Sequence, residues 1–575
     1  MSIICKTKKG KKYYYKVTSA RVDGKPRIVE QIYLGTEDKI AEAAKLWKLD
    51  TTNIPKPEFS SVYEFGAVSA LFDVAERNGI REIIDKHADK RDQGLLIGDT
   101  MLLAAINRAV AASSKNCFYK WFKKTVLPSI FPKANKRSLS SQGFWNNMSI
   151  LDADKIRTIE SEITSKIVKN YDIPTDCLIF DNTNFFSYIN TENPALIPKR
   201  GNSKEKRSDL KIIGLSLMVS PFHNIPLFHE TYPGNTNDAK QFFDIAKNLK
   251  ERYCKIGSRE CDVTLIFDKG NNSEINFQTL ISEKIKKFHF VGSLKLNQCP
   301  ELLVLPKSEY SPLIGNEFKE AIAYRTKKSV FQIESTVIIT YNPELYNAQL
   351  RGVLQNITKC KIALNELNEK LVHRETGIVC KGKKPTIESV KKNVNSILSA
   401  DYMKKIFDFE IGESNGFITL SFDINIEKFE NIKSVFLGKT ILFKDQHNWS
   451  NEKIVGAYRS QYHVEECFRQ MKNEKILTFR PVRHFTDNNI RVHAFYCILA
   501  LTLSSLLNIE FERIDHKISI NTMIQELNDS KQIISTFIIN GKAIQKESFN
   551  IDNDSSTAVK EYINQYKLTK YTLKV

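Results

Sequence analysis

Residues 457–475, AYRSQYHVEECFRQMKNEK, narrow the fold more than any other stretch. Val464, Phe468 and Met471 fall at i, i+4 and i+7, the stripe of an amphipathic helix packed on a core. Beside that stripe lie Tyr458, Glu465 and Lys472, seven residues apart each time. Seven residues is nearly two helical turns, so an unbroken helix sets the three almost in line over roughly 21 Å. Gln461 and Arg469 flank Glu465 one turn to either side. One face is thus buried, and the next carries a carboxylate between donors. Read alone, that second face is either an ordinary solvated surface or a carboxylate suited to a cation beside a phosphate chain. The helix start is marked by Trp449 at N′, Ser450 at the N-cap and Ile454 at N4.

A chain of 575 residues has room for three or four domains. Hydrophobic residues make up 42% and aromatics 10%, enough for packed cores. Lys and Arg outnumber Asp and Glu 85 to 66, a net charge of +19. That excess favours a polyanionic partner, nucleic acid or an anionic membrane surface. The ten cysteines are scattered without a C-x-x-C pair, which reads as reduced, mostly buried thiols in a cytosolic protein. The opening MSIICKTKKGKK has no apolar core of a signal peptide. The longest apolar run, about 494–507, is too short to span a bilayer, so no membrane partner is expected.

In chain order, residues 1–55 read as a small β-rich region, a hairpin of KKYYYKVTS and PRIVEQIYLG with Val22-Asp23-Gly24 as its turn. Its basic tip suits either a DNA backbone or a solubilising tail. A polar linker with prolines, TTNIPKPEF, leads to a helical region at 56–172. There KNCFYKWFKK and FPKANKRSLSSQGFW interleave cations with aromatics, as a DNA-binding domain or a packed surface does. From 173 to 300 strands and helices alternate, the mark of a mixed α/β domain. Two strands, CLIF and VTLIF, each end on an Asp followed by polar turn residues: Asp181 and Asp268. Either Asp alone reads as a turn residue or cap. Together they lie where α/β sites form, at carboxyl ends of strands. Residues 301–437 interrupt this pattern as an inserted, mainly β subdomain, and 438–512 resume it with the Glu465 helix. The tail, 513–575, carries mixed signals and is available for dimer or DNA contacts.

Asp181, Asp268 and Glu465 are oxygen ligands, which select hard cations: Mg2+, with Mn2+ as substitute. Two such ions suit phosphodiester chemistry, with water or a DNA 3′ hydroxyl as nucleophile. No G-x-x-x-x-G-K-[ST] loop occurs, so no nucleotide cofactor is expected. G-x-S-x-G and H-E-x-x-H are also absent.

IFDNTNFF around Asp181, YPGNTND at 232–238, FDKGNNS around Asp268 and YRSQYHVEECFRQMK at 458–472 together resemble the DDE transposases of bacterial insertion sequences. The branch is the one marked Y-x2-R-x3-E-x6-K. RPVRHFTDNNIRVHAFYCILAL, 480–501, resembles its subgroup with long coding frames. The resemblance covers about 175–300 and 438–510, and the N-terminal region loosely. It implies a ribonuclease H-like core and a two-metal site on Asp181, Asp268 and Glu465. It also implies transposon-end phosphates on Tyr458 and Lys472, double-stranded DNA at element ends and target, a homodimer on DNA, and a bacterial cytoplasmic, nucleoid-associated setting. One departure stands out: the signature Arg is Gln461, which brings no charge and no bidentate fork. Arg459 and Arg469 are the neighbours able to restore charge. Glu466 is an alternative ligand in principle, but its spacing is wrong and it points about 100° away. The expected activity is therefore transposition. The alternatives are a catalytically silent or co-opted DNA-binding relic and a plain metal-dependent nuclease.

Overall fold

The computed structural model describes residues 2–8, 10–22, 25–40, 57–89, 94–190, 192–203, 207, 209–236, 242, 248, 252, 263–281, 288–378, 384–414, 416–539, 542–550 and 556–574. The Asp23-Gly24 turn, the body of the 51–59 linker, most of the helix expected at 238–253 and the start of the KGKKP loop lie outside them. The chain divides into two units: 1–63 with 531–550 and 574–575, and 64–530 with 551–573.

In the first unit β1 (Ser2–Lys8), β2 (Lys11–Val22) and β3 (Lys25–Thr36) form an antiparallel sheet, one strand more than the expected hairpin. A second sheet joins β4 (Phe59–Glu64) to the hairpin of β16 (Lys531–Ile539) and β17 (Lys542–Asn550).

The second unit is mixed α/β. Its helices α1 (Gly66–Arg77), α2 (Ile80–His87), α3 (Ile97–Val110), α4 (Lys115–Phe122), α5 (Ser141–Met148) and α6 (Ala153–Tyr171) come first. Then follow β5 (Cys177–Ser187), β6 (Lys211–Ser220), β7 (Ile225–Pro233), β8 (Val263–Phe267), α7 (Glu274–Ile281) and β9 (Phe288–Leu294). The short β10 (Ser311–Pro312) precedes the long strands β11 (Ile322–Val330) and β12 (Ile333–Tyr341). Together with β15 (Lys439–Lys444) they build one nine-stranded sheet, ordered β10-β11-β12-β15-β9-β8-β5-β6-β7. β5, β8 and β9 are parallel neighbours; the other pairs are antiparallel. VTLIF of β8 is buried at every position, as a parallel strand covered on both faces requires.

Two expectations need correcting here. The CLIF strand does not stop at Asp181. β6 pairs with β5 as far as Ser187, so hydrogen bonding on that side carries the strand onward. The stretch at 301–437 is also not a mainly β subdomain. β10, β11 and β12 join the main sheet, because β12, buried continuously from Ser335 to Thr340, pairs antiparallel with the likewise buried β15. The remainder is led by helices: α8 (Pro343–Glu375), α9 (Ile387–Ile397) and α10 (Ile426–Val435), with the hairpin β13 (Phe407–Ser414) and β14 (Phe417–Ile424). Leu364, Val394, Leu398, Met403 and Ile406 give that region its own core.

After β15 come α11 (Asn451–Arg459), α12 (Tyr462–Met471), α13 (Asp487–Glu512), α14 (Ile520–Asn528) and α15 (Thr557–Gln565). The apolar run at 494–507 is part of the 26-residue α13, which is long and apolar enough to cross a membrane, contrary to the length expected of the run alone. Protein covers 94% of its most apolar window. A helix apolar all round is buried, and α13 packs on α1, α3, α6 and β7. No described cysteine forms a disulfide; Cys299, Cys360, Cys467 and Cys497 are buried and Cys177 is half-buried, in line with the expectation of mostly buried thiols, while Cys5 and Cys117 are exposed.

Candidate functional site

The parallel ladder between β5 and β8 runs from Cys177↔Thr264 to Phe180↔Phe267. The next residue on each strand is an acid, Asp181 and Asp268. Residues in register on neighbouring parallel strands lie roughly 4.8 Å apart and point to the same face. β8 and β9 pair up to Ile266↔Val291, so the same step brings Ser293 beside Asp268. Asp181, Asp268 and Ser293 thus cross three strands at one level of the sheet.

Polar side chains hold this level in place. Asp181 Oδ1 accepts from the Asn182 backbone N–H at 2.7 Å. The buried Asn182 amide donates to Asn271 Oδ1 at 3.3 Å and accepts from Ser216 Oγ at 2.6 Å. Asn276 donates to the Asn271 carbonyl at 2.7 Å, and Asn272 to the Ser293 carbonyl at 2.8 Å. These contacts tie the turn after Asp268 to β5 and β9. A buried amide with its partners in place specifies one geometry. The sequence reading overlooked Asn182, Asn271 and Ser293. Their only signal was the text shared by the two motifs, an Asp after an apolar strand with asparagines close behind it.

The helix expected to run unbroken through 472 is two helices. Ser450 caps α11 as expected, its hydroxyl accepting from the Lys453 N–H at 3.2 Å. At Ser460–Gln461 the ladder tightens: Gln461 N bonds Tyr458 O, His463 N bonds Ser460 O, and Val464 N bonds Gln461 O, all i to i−3. Such 3₁₀ steps turn about 120° per residue rather than 100°. Tyr458 and Glu465 therefore lose their alignment. Tyr458 turns to the sheet, where its hydroxyl donates to Ser293 Oγ at 2.8 Å and lies 3.3 Å from Asp268 Oδ1. Burial pushes the Tyr458 phenol up to about 12, with the charges of Asp268 and Glu465 adding to the rise. It is a neutral donor at physiological pH.

Glu465 is exposed on α12. It shares a cavity of about 650 Å3 with Asp181, Thr183, Phe468, Arg469, Lys472 and Asn473. The Lys472 ammonium on that wall lies 5.8 Å from the Phe185 ring centroid. Arg469, 75% exposed, is engaged by Glu466 through two hydrogen bonds of 2.7 Å. Glu466 also holds Gln470, which commits it within its own helix. Gln461 sits at the junction of α11 and α12. A second cavity of about 510 Å3 also has Thr183 on its wall, with Gly270 and with Tyr232, Gly234, Asn235 and Thr236 of the YPGNTND stretch. The Tyr232 ring packs on Gly214, its cross-strand neighbour, where a Cβ would meet ring carbons at 2.2 to 2.5 Å.

The structure thus brings Asp181 beside Asp268 on the sheet and Asp181 into one cavity with Glu465. Carboxylate oxygens suit a hard divalent cation. Among the described residues, however, no three His, Cys, Asp or Glu side chains form a group able to hold a metal ion.

No protein-family model and no curated protein matches the chain. Among solved structures it is similar to the piggyBac transposase in a synaptic complex with hairpin DNA: 11% identity over 80% of this chain and 78% of that one, TM-score 0.33. It is also similar to the Mos1 transposase in a paired-end complex with the left transposon end: 14% identity over 35% of this chain and 61% of that one, TM-score 0.14. Likeness at these scores assigns neither fold nor chemistry.

Proposed function

We propose that the chain is a metal-dependent DNA transposase of the bacterial insertion-sequence type, cutting and joining double-stranded DNA at the ends of its element. The observation that carries this reading is the register of β5 and β8, which sets Asp181 and Asp268 side by side. The order β7-β6-β5-β8-β9, three antiparallel strands and then two parallel ones, supports a ribonuclease H-like core. The net charge of +19 supports a polyanionic substrate.

In this reading Asp181, Asp268 and Glu465 would hold two Mg2+ ions, with Mn2+ as substitute, and α12 would bring Glu465 the remaining distance when DNA enters. Bound ions would supply activation of the attacking oxygen and relief of charge on the leaving one. The chain's own groups do the rest. Tyr458, kept protonated by burial, holds Asp268 in orientation through its hydroxyl. Lys472 offers a cation to a phosphate across the cavity from Asp181, and Gln461 and Arg469 offer donors along the same helix. Two copies on two ends would give paired cleavage.

Purified chain, DNA carrying the element's ends and Mg2+ provide the test. Asp181→Ala, Asp268→Ala and Glu465→Ala should each abolish cleavage while DNA binding persists. Undiminished cutting by any one of them defeats the assignment. Gln461 and the open carboxylate set favour a silent DNA-binding relic, which would bind the same DNA and cut none of it. A plain nuclease would cut without joining ends to a target.

A further inference from the structure

Away from the carboxylates, a cavity of about 460 Å3 opens where α3, α4 and α5 meet the segment at 474–484 and the start of α13. Arg108, Lys115, Arg480, Arg483, His484 and His493 line it, and Glu474 is the one acidic group on its described wall. Arg108 is 8% exposed, and its guanidinium donates to the carbonyls of Thr478 at 3.5 Å and Arg480 at 3.3 Å. The Lys115 ammonium lies 3.3 Å from His484 Nε2 and donates to the Tyr496 hydroxyl at 3.2 Å. All these partners are neutral. Burial, with Arg108 nearby, pushes Lys115 down to about 7. The same burial and cations hold His484 and His493 well below their ordinary value. A buried cation whose partners are neutral is costly unless an anion pairs with it or, as Lys115 is pushed to do, it gives up its proton. A tie to backbone carbonyls accounts for Arg108. It does not account for the Lys115 ammonium beside it, or for Arg483 on the same wall.

The place of the cavity indicates which anion. Tyr188 N–H donates to the Val482 carbonyl at 3.0 Å, and Ser187 bridges Val482, so this segment lies beside the carboxyl end of β5. Asp181 is six residues back along that strand, roughly 20 Å. That is about six base pairs at a rise of 3.4 Å. Cations mark the way between: Lys472 over Phe185, Arg480 over Phe186 and Arg483 over Tyr188.

We propose that this cavity is a phosphate pocket, holding a backbone phosphate of the DNA strand several nucleotides from the point of cleavage. The DNA source rests on the function proposed above; the phosphate chemistry does not. The test uses the full chain with inorganic phosphate, read by calorimetry and by fluorescence of Trp145 on the cavity wall, and a DNA duplex titrated at several salt concentrations. Arg483→Gln and Lys115→Met should each weaken phosphate binding about tenfold, the scale of one lost charge-assisted hydrogen bond. Each should also lower the salt slope of DNA binding by about one. Lys319→Gln, an exposed cation elsewhere, should change neither. Phosphate binding insensitive to both substitutions overturns the pocket. Sensitive phosphate binding with an unaltered DNA slope assigns the pocket to free phosphate and overturns the DNA source. Sensitive phosphate binding in a chain that neither binds nor cuts DNA keeps the pocket and defeats the function proposed above.

Discussion

Carboxylates under the helical layer and carboxylates at the sheet centre are built in opposite ways. Glu510 of α13, 2% exposed, takes two hydrogen bonds from Arg77 at 2.7 and 2.8 Å and one each from Tyr171 at 2.6 Å and Tyr562 at 2.5 Å. Asp73 of α1 takes Arg77, Lys570 and Tyr571. These acids are fastened by cations and phenols inside protein. At the sheet, Asp268 meets a neutral phenol, Asp181 a backbone N–H, and Glu465 an open cavity. The first arrangement spends acid on holding elements together; the second keeps acid where a ligand can reach it.

The sharpest way to break this comparison is to remove one acid of each kind. Glu510→Ala leaves Arg77 to Asp73 and takes the carboxylate acceptor from two buried phenols, and should cost about 3 kcal/mol. Asp181→Asn should shift stability by no more than about 0.5 kcal/mol. Melting of the two variants against wild type measures both, and equal losses would erase the distinction.

A smaller effect comes from acid. Burial alone would raise the Asp73 carboxyl, but Lys570, Arg77 and Tyr571 outweigh it and hold it below the ordinary range. Glu160, against its own burial, is likewise held low by His229 and Arg252. A depressed carboxyl contributes stability above its unfolded value, about 4 for these acids, and loses it as pH falls through the folded one. Melting temperature should therefore drop steeply below about pH 4, and Asp73→Asn or Glu160→Gln should flatten the drop. A profile as steep in both variants places the acid sensitivity elsewhere.

The smallest change is Tyr458→Phe. It removes the hydroxyl that donates to Ser293 and lies against Asp268, at a cost of about 1 kcal/mol in stability. Under the function proposed above, cleavage should slow while DNA affinity stays put, because the phenol would act by positioning Asp268. A loss of DNA affinity equal to the loss of rate would make Tyr458 a phosphate contact instead.

Much of the site was legible because its chemistry sits in short local text. Two apolar runs, each ending in Asp and asparagines, became neighbouring parallel strands in register. Trp449-Ser450 marked the start of α11, and the apolar run at 494–507 became part of a buried helix. What escaped depends on distant contacts. No Gly or Pro marks Ser460–Gln461, yet Tyr458 and Glu465 serve different neighbours, and the ladder tightens between them to let each reach its own. β5 outruns Asp181 because β6 pairs with it, which the CLIF text cannot reveal. The amides of Asn182 and Asn271 meet only after the sheet forms.

The excursion at 342–438 leaves the sheet and returns to it at a single doorway. Asn342 N–H bonds the Gly438 carbonyl at 2.9 Å, and Tyr341 pairs with Lys439. To the rest of the fold it is one long hairpin loop hung from two adjacent strands. Closing such a loop costs only about 0.6 kcal/mol more for each doubling of its length. The chain can therefore lengthen, trim or exchange this appendage, with its private core, and leave the register at Asp181 and Asp268 untouched.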